Sequence, residues 1–563
     1  MTRVASPEEV VRAQARAWRD ADPDPVTRAE VDALLAANDL AGLHERFDQR
    51  LRFGTAGLRG ALGAGPNRMN RVLVRQTTAA VAQWLREGGF TGPVVVGRDA
   101  RHGSDEFGQD AAAVLAGAGF RVLVLPRPMP TPVLAFAVRH LSASAGIMLT
   151  ASHNPATDNG YKLYRADGAQ ILPPDDATIE ALMDDLTLAS GLVMSSDGIT
   201  EVGEELLDAY VAGAVALLKG DARAVTTVYT ALHGVGAETM RRAWASAGFP
   251  AAHEVTQQVE PDPNFPTVAF PNPEEPGALD LAVALAAEVG PDLILATDPD
   301  ADRLAVAVPD SQAPQGWRVL TGDDVGTLLA DHLLRRRDVR PGDVVATTVV
   351  SSRLLATLAV AAGVTYREAL TGFKWVVHPP GEGERFLFGY EEALGYCVDS
   401  LVRDKDGVTA ALVVSELAAE LKASGQSLVD RLEEVFCTHG VHVTGQRSIR
   451  VDGADGPGRL QAVMTSLRAA PPSALAGRAM VNIEDLAAVP SRFPVRSDVL
   501  VWMFDGVRAV VRPSGTEPKL KCYAEAIVAV DTAGGVPAAQ DEAGFAVREM
   551  LDAIVALLRA RGL

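Results

Sequence analysis

Residues 145–155 read AGIMLTASHNP. Ala145–Leu149 is a short apolar run of the kind that forms a buried strand, and a hydroxyl-bearing turn with Ser152 follows it. Pro155 keeps Asn154 out of helical geometry, so this turn is stiff. In open α/β sheets, ligands bind at loops that leave the carboxyl ends of strands. We therefore predict that Ser152 lies on a ligand-binding loop, although a lone serine in such a turn more often serves the turn alone.

On both sides of this stretch, apolar runs alternate with amphipathic segments. The other predicted strands of this kind are Pro93–Gly97, Arg121–Leu125, Thr226–Ala231, Pro291–Thr297 and Asp343–Val350. The predicted helices between them are Phe107–Ala118, Thr131–His140, Ala237–Ala247 and Ser351–Ala362. Such alternation is typical of mostly parallel sheets covered on both faces.

The alternation of predicted strands and helices ends after Phe436. Val441–Val451 and Val499–Val511 show the alternating residues of strands, and Asp541–Leu558 is an amphipathic helix. These features predict an α+β domain at the C-terminal end. The fold class is therefore α/β, with three related α/β domains whose sheets are mixed and mostly parallel, plus this α+β domain.

The chain has 563 residues, which predicts roughly three to five domains of about 100–150 residues. Polar and Pro/Gly-bearing stretches place the boundaries. We predict domain I at 1–204, domain II at 205–312, domain III at 313–437 and domain IV at 438–563.

Composition excludes several classes of protein. The hydrophobic fraction is 48%, and the net charge is −20 with no long basic block, so nucleic acid and anionic membranes are unfavourable partners. The three cysteines form no C-x-x-C pair, which indicates a reduced, cytoplasmic protein. The N-terminus has no apolar signal core, and Ser6 before Pro7 is predicted to cap a helix. No apolar run is long enough to span a membrane.

A cluster of carboxylates follows the predicted strand at Pro291–Thr297. Asp298, Asp300 and Asp302 alternate along the chain, and in extended backbone that spacing points the three side chains the same way. Hard oxygen ligands favour Mg²⁺ or Ca²⁺. An EF-hand does not fit, because Arg303 stands where glycine is needed. The alternative is an acidic, solvated turn.

A second candidate loop is 512–519, RPSGTEPK. Its small residues expose backbone N–H groups, and Arg512 can bind a phosphate with two hydrogen bonds. The Walker pattern is absent. A Pro/Gly hairpin connection is the competing interpretation.

Other loops carry charged or glycine residues that could join these two. The glycine-rich stretch 53–60 contains Arg59, and Lys162 could return over the Ser152 turn. The remaining candidates are the stretches TGFKW (371–375), EEALG (391–395) and RDKDG (403–407). Each by itself is more often a plain connection or a solvated surface.

Taken in order, the motifs FGTAGLRG, TASHNP, DPDADR, TGFKW, EEALGY, DKDGV and RPSGTEPK resemble those of the α-D-phosphohexomutase superfamily. The resemblance covers nearly the whole chain. It is strongest toward the phosphoglucomutase/phosphopentomutase branch, which also contains glucose-1,6-bisphosphate synthases. It implies four domains around a central cleft, with a smaller, flexible last domain.

The resemblance also implies roles for particular residues. Ser152 would carry the phosphoryl group and, with Asp298, Asp300 and Asp302, hold one Mg²⁺. The other residues implied in catalysis are His153, Lys162, Arg59, Arg303 and Lys405. The residues implied in sugar and phosphate binding are Thr371, Gly372, Lys374, Glu391, Glu392, Arg512, Ser514, Gly515, Thr516 and Lys519. Ala393 stands where many members have serine, so the preferred sugar does not follow.

The implied activity is a phospho-sugar mutase that works through a phosphoserine and a sugar bisphosphate. Phosphoglucomutase is the best guess, and phosphopentomutase or phosphomannomutase are the alternatives. The implied partners are small sugar phosphates, with a sugar 1,6-bisphosphate as activator and the chain as a monomer or small homo-oligomer. A metal-dependent phosphatase usually adds histidine ligands, and none of the 10 histidines lies near the Asp cluster in the sequence. A sugar-phosphate sensor is the non-enzymatic alternative.

Overall fold

The structure is a computed structural model that describes residues 6–186, 191–336, 338–378, 383–451, 456–489, 491–514 and 519–563. Contacts divide the chain into two compact units. The first comprises Met1–Val319 with Gly395–Glu416, and the second comprises Leu320–Leu394 with Leu417–Leu563. The segment Gly395–Glu416 therefore packs with the first unit, although its sequence position lies in predicted domain III.

The first unit opens with three helices, α1 (Pro7–Ala21), α2 (Pro25–Ala36) and α3 (Leu40–Phe47). Ser6 caps α1 as predicted, because its side chain accepts a hydrogen bond from the backbone N–H of Glu9, and the Glu9 carboxylate accepts one from the backbone N–H of Ser6. Trp18 packs edge-on against Phe47, with ring centroids 6.0 Å apart, and joins α1 to α3.

Two sheets follow in the first unit. The elements of the first sheet region are β1 (Leu58–Ala61), α4 (Arg71–Glu87), β2 (Val94–Arg98), α5 (Ser104–Gly117), β3 (Val122–Val124), α6 (Thr131–His140), β4 (Ala145–Leu149), β5 (Asp158–Arg165), α7 (Asp175–Asp185), β6 (Ile199–Glu201) and α8 (Glu205–Val215). Those of the second are β7 (Thr227–Thr230), α9 (Gly236–Ala247), β8 (His253–Glu254), α10 (Asp280–Val289), β9 (Leu293–Thr297), β10 (Leu304–Pro309) and β11 (Trp317–Val319).

The rest of the chain continues the same alternation and then changes. Its elements are α11 (Gly322–Arg336), β12 (Asp343–Thr348), α12 (Leu354–Ala362), β13 (Thr365–Ala369), α13 (Phe373–Val376), β14 (Arg385–Glu391), β15 (Gly395–Cys397), α14 (Gly407–Ala423), α15 (Leu428–His439), β16 (Val441–Arg450), α16 (Gly456–Ala469), β17 (Ala474–Leu475), β18 (Arg478–Asp485), β19 (Leu500–Phe504), β20 (Val507–Pro513), β21 (Lys519–Val528) and α17 (Val536–Ala560). The predicted strand Val499–Val511 is in fact two strands, because a turn at Asp505–Gly506 folds it into a hairpin.

The α/β sheets share one plan. In the first sheet β4 runs parallel to β2, β2 runs parallel to β3, and β5 is antiparallel to β4. The second sheet repeats this with β9, β7, β8 and β10. In the second unit β12 lies parallel between β13 and β14. The prediction of three related α/β domains with mixed, mostly parallel sheets is therefore confirmed.

Several candidate residues, including Ser152, the three aspartates and Glu392, lie on the turn after the third strand of a repeat. It follows β4 in the first repeat, β9 in the second and β14 in the third, and each turn contains one non-glycine residue with positive φ. These residues are Ser152 (φ 52°), Ala301 (φ 54°) and Leu394 (φ 60°). L-residues adopt this conformation at a cost, so the surrounding structure must hold these turns tightly.

The C-terminal sheet is antiparallel and has the order β16-β21-β20-β19-β18-β17. Residues on one face of its strands, such as Trp502, Ala509 and Cys522, pack in a core with α16 and α17. Alternate residues, such as Val510 and Tyr523, pack instead with Val349 and neighbours from the α/β part of the second unit. Both faces of this sheet are therefore covered. Among the described residues, no helix has the length and apolar character needed to cross a membrane.

Candidate active site

Ser152 is buried at the turn between β4 and β5, with 1% of its surface exposed. Its backbone N–H donates to Thr150 Oγ1 at 2.8 Å. Its hydroxyl donates to Asp298 Oδ2 at 2.7 Å, and His153 Nδ1 lies 3.1 Å from the same hydroxyl oxygen. The serine predicted from the sequence therefore faces the first carboxylate of the Asp cluster within one unit.

Arg101, which the sequence reasoning missed, supports the Ser152 turn. Its guanidinium donates to the carbonyl oxygens of Ser152, Asn154 and Pro155, and its face lies over the ring of Phe265, 4.9 Å from the centroid. Asp99 pairs with Arg101 and accepts a 2.7 Å hydrogen bond from Thr150. The signal was visible in the sequence, because charged residues directly follow the buried strand β2.

The three aspartates meet on a tight turn. Asp298, Asp300 and Asp302 are each fully buried, and one carboxylate oxygen from each lies within 4.8 Å of the other two. The expectation that extended backbone aligns them is wrong, because the chain turns here and Ala301 has positive φ. The turn brings the carboxylates of the three aspartates closer together than alternate side chains lie along an extended strand.

Two lysines neutralise this cluster. Lys162, which has no exposed surface, lies with Nζ 2.6 Å from Asp300 Oδ2 and 2.8 Å from Asp302 Oδ2. Lys405 Nζ lies 3.4 Å from Asp302 Oδ2. Burial raises the pKa of Asp302, but Lys162 and Lys405 outweigh burial and lower it. Burial and its two carboxylate neighbours instead raise the pKa of Asp298 well above its ordinary value.

Oxygens remain for a cation. Oδ1 of Asp300 and Oδ1 of Asp302 are buried and accept no hydrogen bond within the described part of the chain. An unpaired buried carboxylate oxygen is costly unless a donor or a metal satisfies it. Together with Asp298 these atoms form an all-oxygen donor set, which fits a hard divalent cation such as Mg²⁺.

Further predicted residues line the same turn. Arg59, on β1, is half-buried, and its buried Nε has no partner among the described residues. Desolvation lowers the pKa of Arg59, although the aspartates oppose this. Arg303 donates its backbone N–H to Asp298 and pairs with Glu274 at 3.2 Å. His153 Nδ1 lies 3.9 Å from Asp298 Oδ2. A histidine is therefore near the cluster in space, although it lies far from the cluster in the sequence.

Lys405 reaches the cluster because the segment Gly395–Glu416 packs in the first unit. Asp404 accepts hydrogen bonds from Tyr164 at 2.8 Å and from Gln170 at 2.7 Å. Gly407 lies so close to the Arg303 carbonyl that an added Cβ would stand 2.4 Å from that oxygen. These contacts fix Lys405 beside Asp302.

The second unit holds the other predicted loops. Gly372, with φ 111°, donates its N–H to Glu391 Oε1 at 2.9 Å. Glu392 Oε2 accepts from Ser351 Oγ at 3.0 Å. Gly322 lies against the backbone of Glu392, where an added Cβ would meet the carbonyl oxygen at 1.9 Å. Thr371 is half-buried and Lys374 is buried in the neighbouring turn.

The 512–519 loop begins at the end of β20 in the same unit. Arg512 has a buried Nε without a described partner, which leaves a donor for an anion. Burial and the charges of Glu392 and Glu391 raise the pKa of Tyr523, and the charge of Arg512 opposes that rise. Ser514 donates its N–H to the Lys519 carbonyl at 2.8 Å. Gly515 and Thr516 lie outside the described residues.

Family profiles match four segments of the chain. They are described as phosphoglucomutase/phosphomannomutase α/β/α domain I at residues 50–190, domain II at 208–312, domain III at 321–436 and the C-terminal domain at 476–534. Together these segments cover more than half of the chain.

Individual relatives agree with the profiles. The chain is 44% identical to a probable phosphomannomutase of Haemophilus influenzae, over 81% of this chain and 93% of that protein. It is 37% identical to a probable phosphoribomutase of Schizosaccharomyces pombe, over 90% of this chain and 92% of that protein. A crystal structure from Thermus thermophilus, assigned as a phosphomannomutase, superposes with a TM-score of 0.67 and 27% identity over 89% of this chain and 99% of that one.

Proposed function

Because the chain belongs to the phosphoglucomutase/phosphomannomutase family, and is thus a phosphomutase of the isomerase class, we propose that it moves a phosphoryl group between the two ends of a sugar monophosphate. The ends are the 1-position and the 6-position of a hexose or the 5-position of a pentose. The observation that carries this proposal is the contact between Ser152 Oγ and Asp298 Oδ2. A nucleophilic hydroxyl and a buried carboxylate set able to hold a cation meet at one point.

The proposed reaction has two transfers. Phosphorylated Ser152 gives its phosphoryl group to a free hydroxyl of the sugar monophosphate, and the hydroxyl loses its proton to a base. The bisphosphate then reorients in the site. Its other phosphoryl group is transferred to the Ser152 hydroxyl, which leaves the isomeric sugar monophosphate. Catalysis of this kind depends on positioning and on stabilising spread negative charge.

The chain supplies the charges for this chemistry. We propose that Arg59 and Arg303 stabilise the transferred group. Lys162, beside Asp300, and Lys405, beside Asp302, are proposed to hold or release protons. We propose that Asp298, Asp300 and Asp302 hold one Mg²⁺, which would supply Lewis-acid stabilisation of the phosphoryl oxygens.

Recognition of the sugar phosphate is proposed for the second unit. Glu391 and Glu392 present carboxylates that suit sugar hydroxyls, and Gly372 anchors Glu391. Arg512 Nε is buried and has no partner among the described residues, so we propose that Arg512 binds the phosphate that is not transferred. We propose that Ser514, Gly515, Thr516 and Lys519, from the same loop of the sequence, bind this phosphate too. Thr371 and Lys374 complete the proposed set.

We propose glucose phosphate as the preferred substrate, with pentose and mannose phosphates as alternatives. Similar proteins are named as a phosphomannomutase, a phosphoribomutase and a phosphoglucomutase, so their names leave this choice to measurement. A sugar 1,6-bisphosphate is the proposed activator, because it would phosphorylate Ser152.

One assay tests the proposal. The purified protein is given glucose 1-phosphate, mannose 1-phosphate or ribose 1-phosphate, with and without glucose 1,6-bisphosphate, and both the isomeric phosphate and free phosphate are measured. We expect isomerisation that depends on the bisphosphate and little free phosphate. Release of free phosphate as the main product would indicate a phosphatase. A sensor would bind the sugar phosphate, would not convert it, and would carry no phosphate on Ser152.

A further inference from the structure

We propose that Arg508 and Glu525 are positioning residues that set the distance between the sugar-binding glutamates and the phosphate-binding arginine. The inference rests on the proposed function of Glu392 and Arg512. It concerns only the second unit, in which all of these residues lie.

Arg508 and Glu525 form a buried ion pair on the C-terminal sheet. They are direct cross-strand partners on β20 and β21, and their side chains lie 3.3 Å apart. Only 4% of Arg508 and 1% of Glu525 is exposed. Burial raises the pKa of Glu525, but Arg508, His442 and Arg353 outweigh it and hold the pKa well below its ordinary value. The carboxylate is therefore charged at neutral pH.

The pair binds a loop of the α/β part and is not confined to its own sheet. This loop, Val349–Arg353, leaves the carboxyl end of β12. Arg508 donates to the carbonyl oxygens of Val349 and Ser351. Glu525 accepts from the Ser352 hydroxyl at 3.0 Å and from both the backbone N–H and the Nε of Arg353 at 2.8 Å. The two side chains thus join the C-terminal sheet to this loop through polar contacts on both sides.

The same loop holds Glu392. Ser351 Oγ lies 3.0 Å from Glu392 Oε2, and the backbone N–H of Glu392 donates back to Ser351 Oγ at 3.1 Å. A single hydroxyl therefore fixes both the main chain and the carboxylate of the residue proposed to bind the sugar. Arg508 holds the carbonyl of that same serine, so any shift of the C-terminal sheet is passed to Glu392.

The other end of β20 carries Arg512. Arg508 and Arg512 point to the same face of the strand because they are four residues apart, a spacing of roughly 13 Å at about 3.3 Å per residue. Strand β20 thus carries both Arg508, which donates hydrogen bonds to the Val349–Arg353 loop, and Arg512, which is proposed to bind phosphate. We infer that the Arg508–Glu525 pair sets the distance between Glu392 and Arg512. That distance in turn selects sugar phosphates of a matching length.

The choice between hexose and pentose phosphates should therefore depend on the pair. A displacement of about 1 Å in a site can change rates by about a hundredfold. Loosening the pair should weaken binding of the preferred sugar phosphate and should reduce the discrimination between the two lengths.

The experiment compares Arg508→Lys, Ser351→Ala and the double variant with the unaltered protein. Arg468→Lys is the matched control, since Arg468 also pairs with two acids in this unit, Asp485 and Asp498, away from the loop. Binding of glucose 1,6-bisphosphate is measured by calorimetry, which needs no turnover. KM and kcat are measured with glucose 1-phosphate and ribose 1-phosphate, and thermal midpoints report folding.

We expect Arg508→Lys and Ser351→Ala to weaken bisphosphate binding and raise KM about tenfold to a hundredfold, with a smaller change in kcat. The ratio of kcat/KM between the two sugars should move toward one. The double variant should lose less than the product of the single losses, because both changes break one connection. The control should change none of these values.

Unchanged KM and sugar ratio in folded Arg508→Lys would overturn the inference, as would losses equal to those of Arg468→Lys. If Arg508→Lys fails to fold, Ser351→Ala, which removes one hydroxyl, decides by the same two readouts. An unaltered protein that binds the bisphosphate but turns over neither sugar would instead refute the proposed function.

Discussion

The hydroxyl oxygen of Ser152 lies 2.7 Å from Oδ2 of Asp298, although 146 positions separate the two residues along the chain. The two turns that bring them together are the same turn in two repeats of one sheet plan. The proposed phosphoryl carrier and the proposed cation site thus follow corresponding strands, β4 and β9, in two repeats of one sheet plan.

Ser152→Ala is expected to abolish nearly all mutase turnover while leaving the protein folded. The hydroxyl is the proposed phosphoryl carrier, and alanine removes only this atom. Intact mass should show one phosphate on the active protein and none on the variant. Ser144→Ala, a second buried serine of the same unit, serves as the control. Substantial turnover by the Ser152 variant would sink the assignment.

Asp300→Asn is expected to weaken Mg²⁺ binding without changing the fold. The substitution removes one charge from the set in which Asp300 Oδ1 has no described partner. The measurement is the rise in thermal midpoint as Mg²⁺ is added to protein treated with a chelator. Asp310→Asn, at an acid just beyond β10, should behave as the unaltered protein does. Equal Mg²⁺ responses in all three proteins would place the cation elsewhere.

Arg512→Ala is expected to raise KM for the sugar phosphate by about tenfold to a hundredfold, because a charged bidentate contact contributes roughly 1.5–3 kcal/mol. The contact is made in the ground state and the transition state alike, so kcat should fall less than KM rises. Steady-state kinetics on each sugar phosphate give both values. Arg478→Ala, on β18 of the same sheet, is the control. An unchanged KM for every substrate would make the 512–519 loop a structural hairpin.

Asp323 should make stability fall as pH rises from about 4 to 7. Burial raises the pKa of this carboxyl from 3.8 to about 7, although hydrogen bonds from Ser352 and Thr444 oppose the rise. In that range the folded chain holds a proton that the unfolded chain has lost, so stability declines with rising pH. A rise in pKa of this size lowers the free energy of unfolding by up to about 4 kcal/mol across the whole range.

Asp323→Asn tests this account, since the amide stays neutral at every pH and can still accept hydrogen bonds from Ser352 and Tyr390. The thermal midpoint of the unaltered protein, relative to that of the variant, should drop between pH 5 and 7 and then level off. Parallel midpoint curves across this range would show that Asp323 is already charged in the folded chain.

Local patterns were sufficient for some elements of the fold. Ala145–Leu149 and Thr131–His140 have the predicted bounds, because continuous apolar runs and a helix-starting Thr-Pro are local signals. The hairpin inside Val499–Val511 was missed, since a two-residue turn interrupts the apolar pattern only briefly. The domain boundaries remain a prediction, as does the central cleft.

The sequence by itself identified most of the candidate site residues, because motifs such as TASHNP, DPDADR and RPSGTEPK depend on residue type and spacing along the chain. Only the tertiary structure decided what surrounds them. Arg101 against the Ser152 turn, Lys405 beside Asp302, and Arg508 on the Val349–Arg353 loop all come from distant positions. Their roles depend on side chains brought together in space, and burial strengthens those charges in a way that no local pattern records.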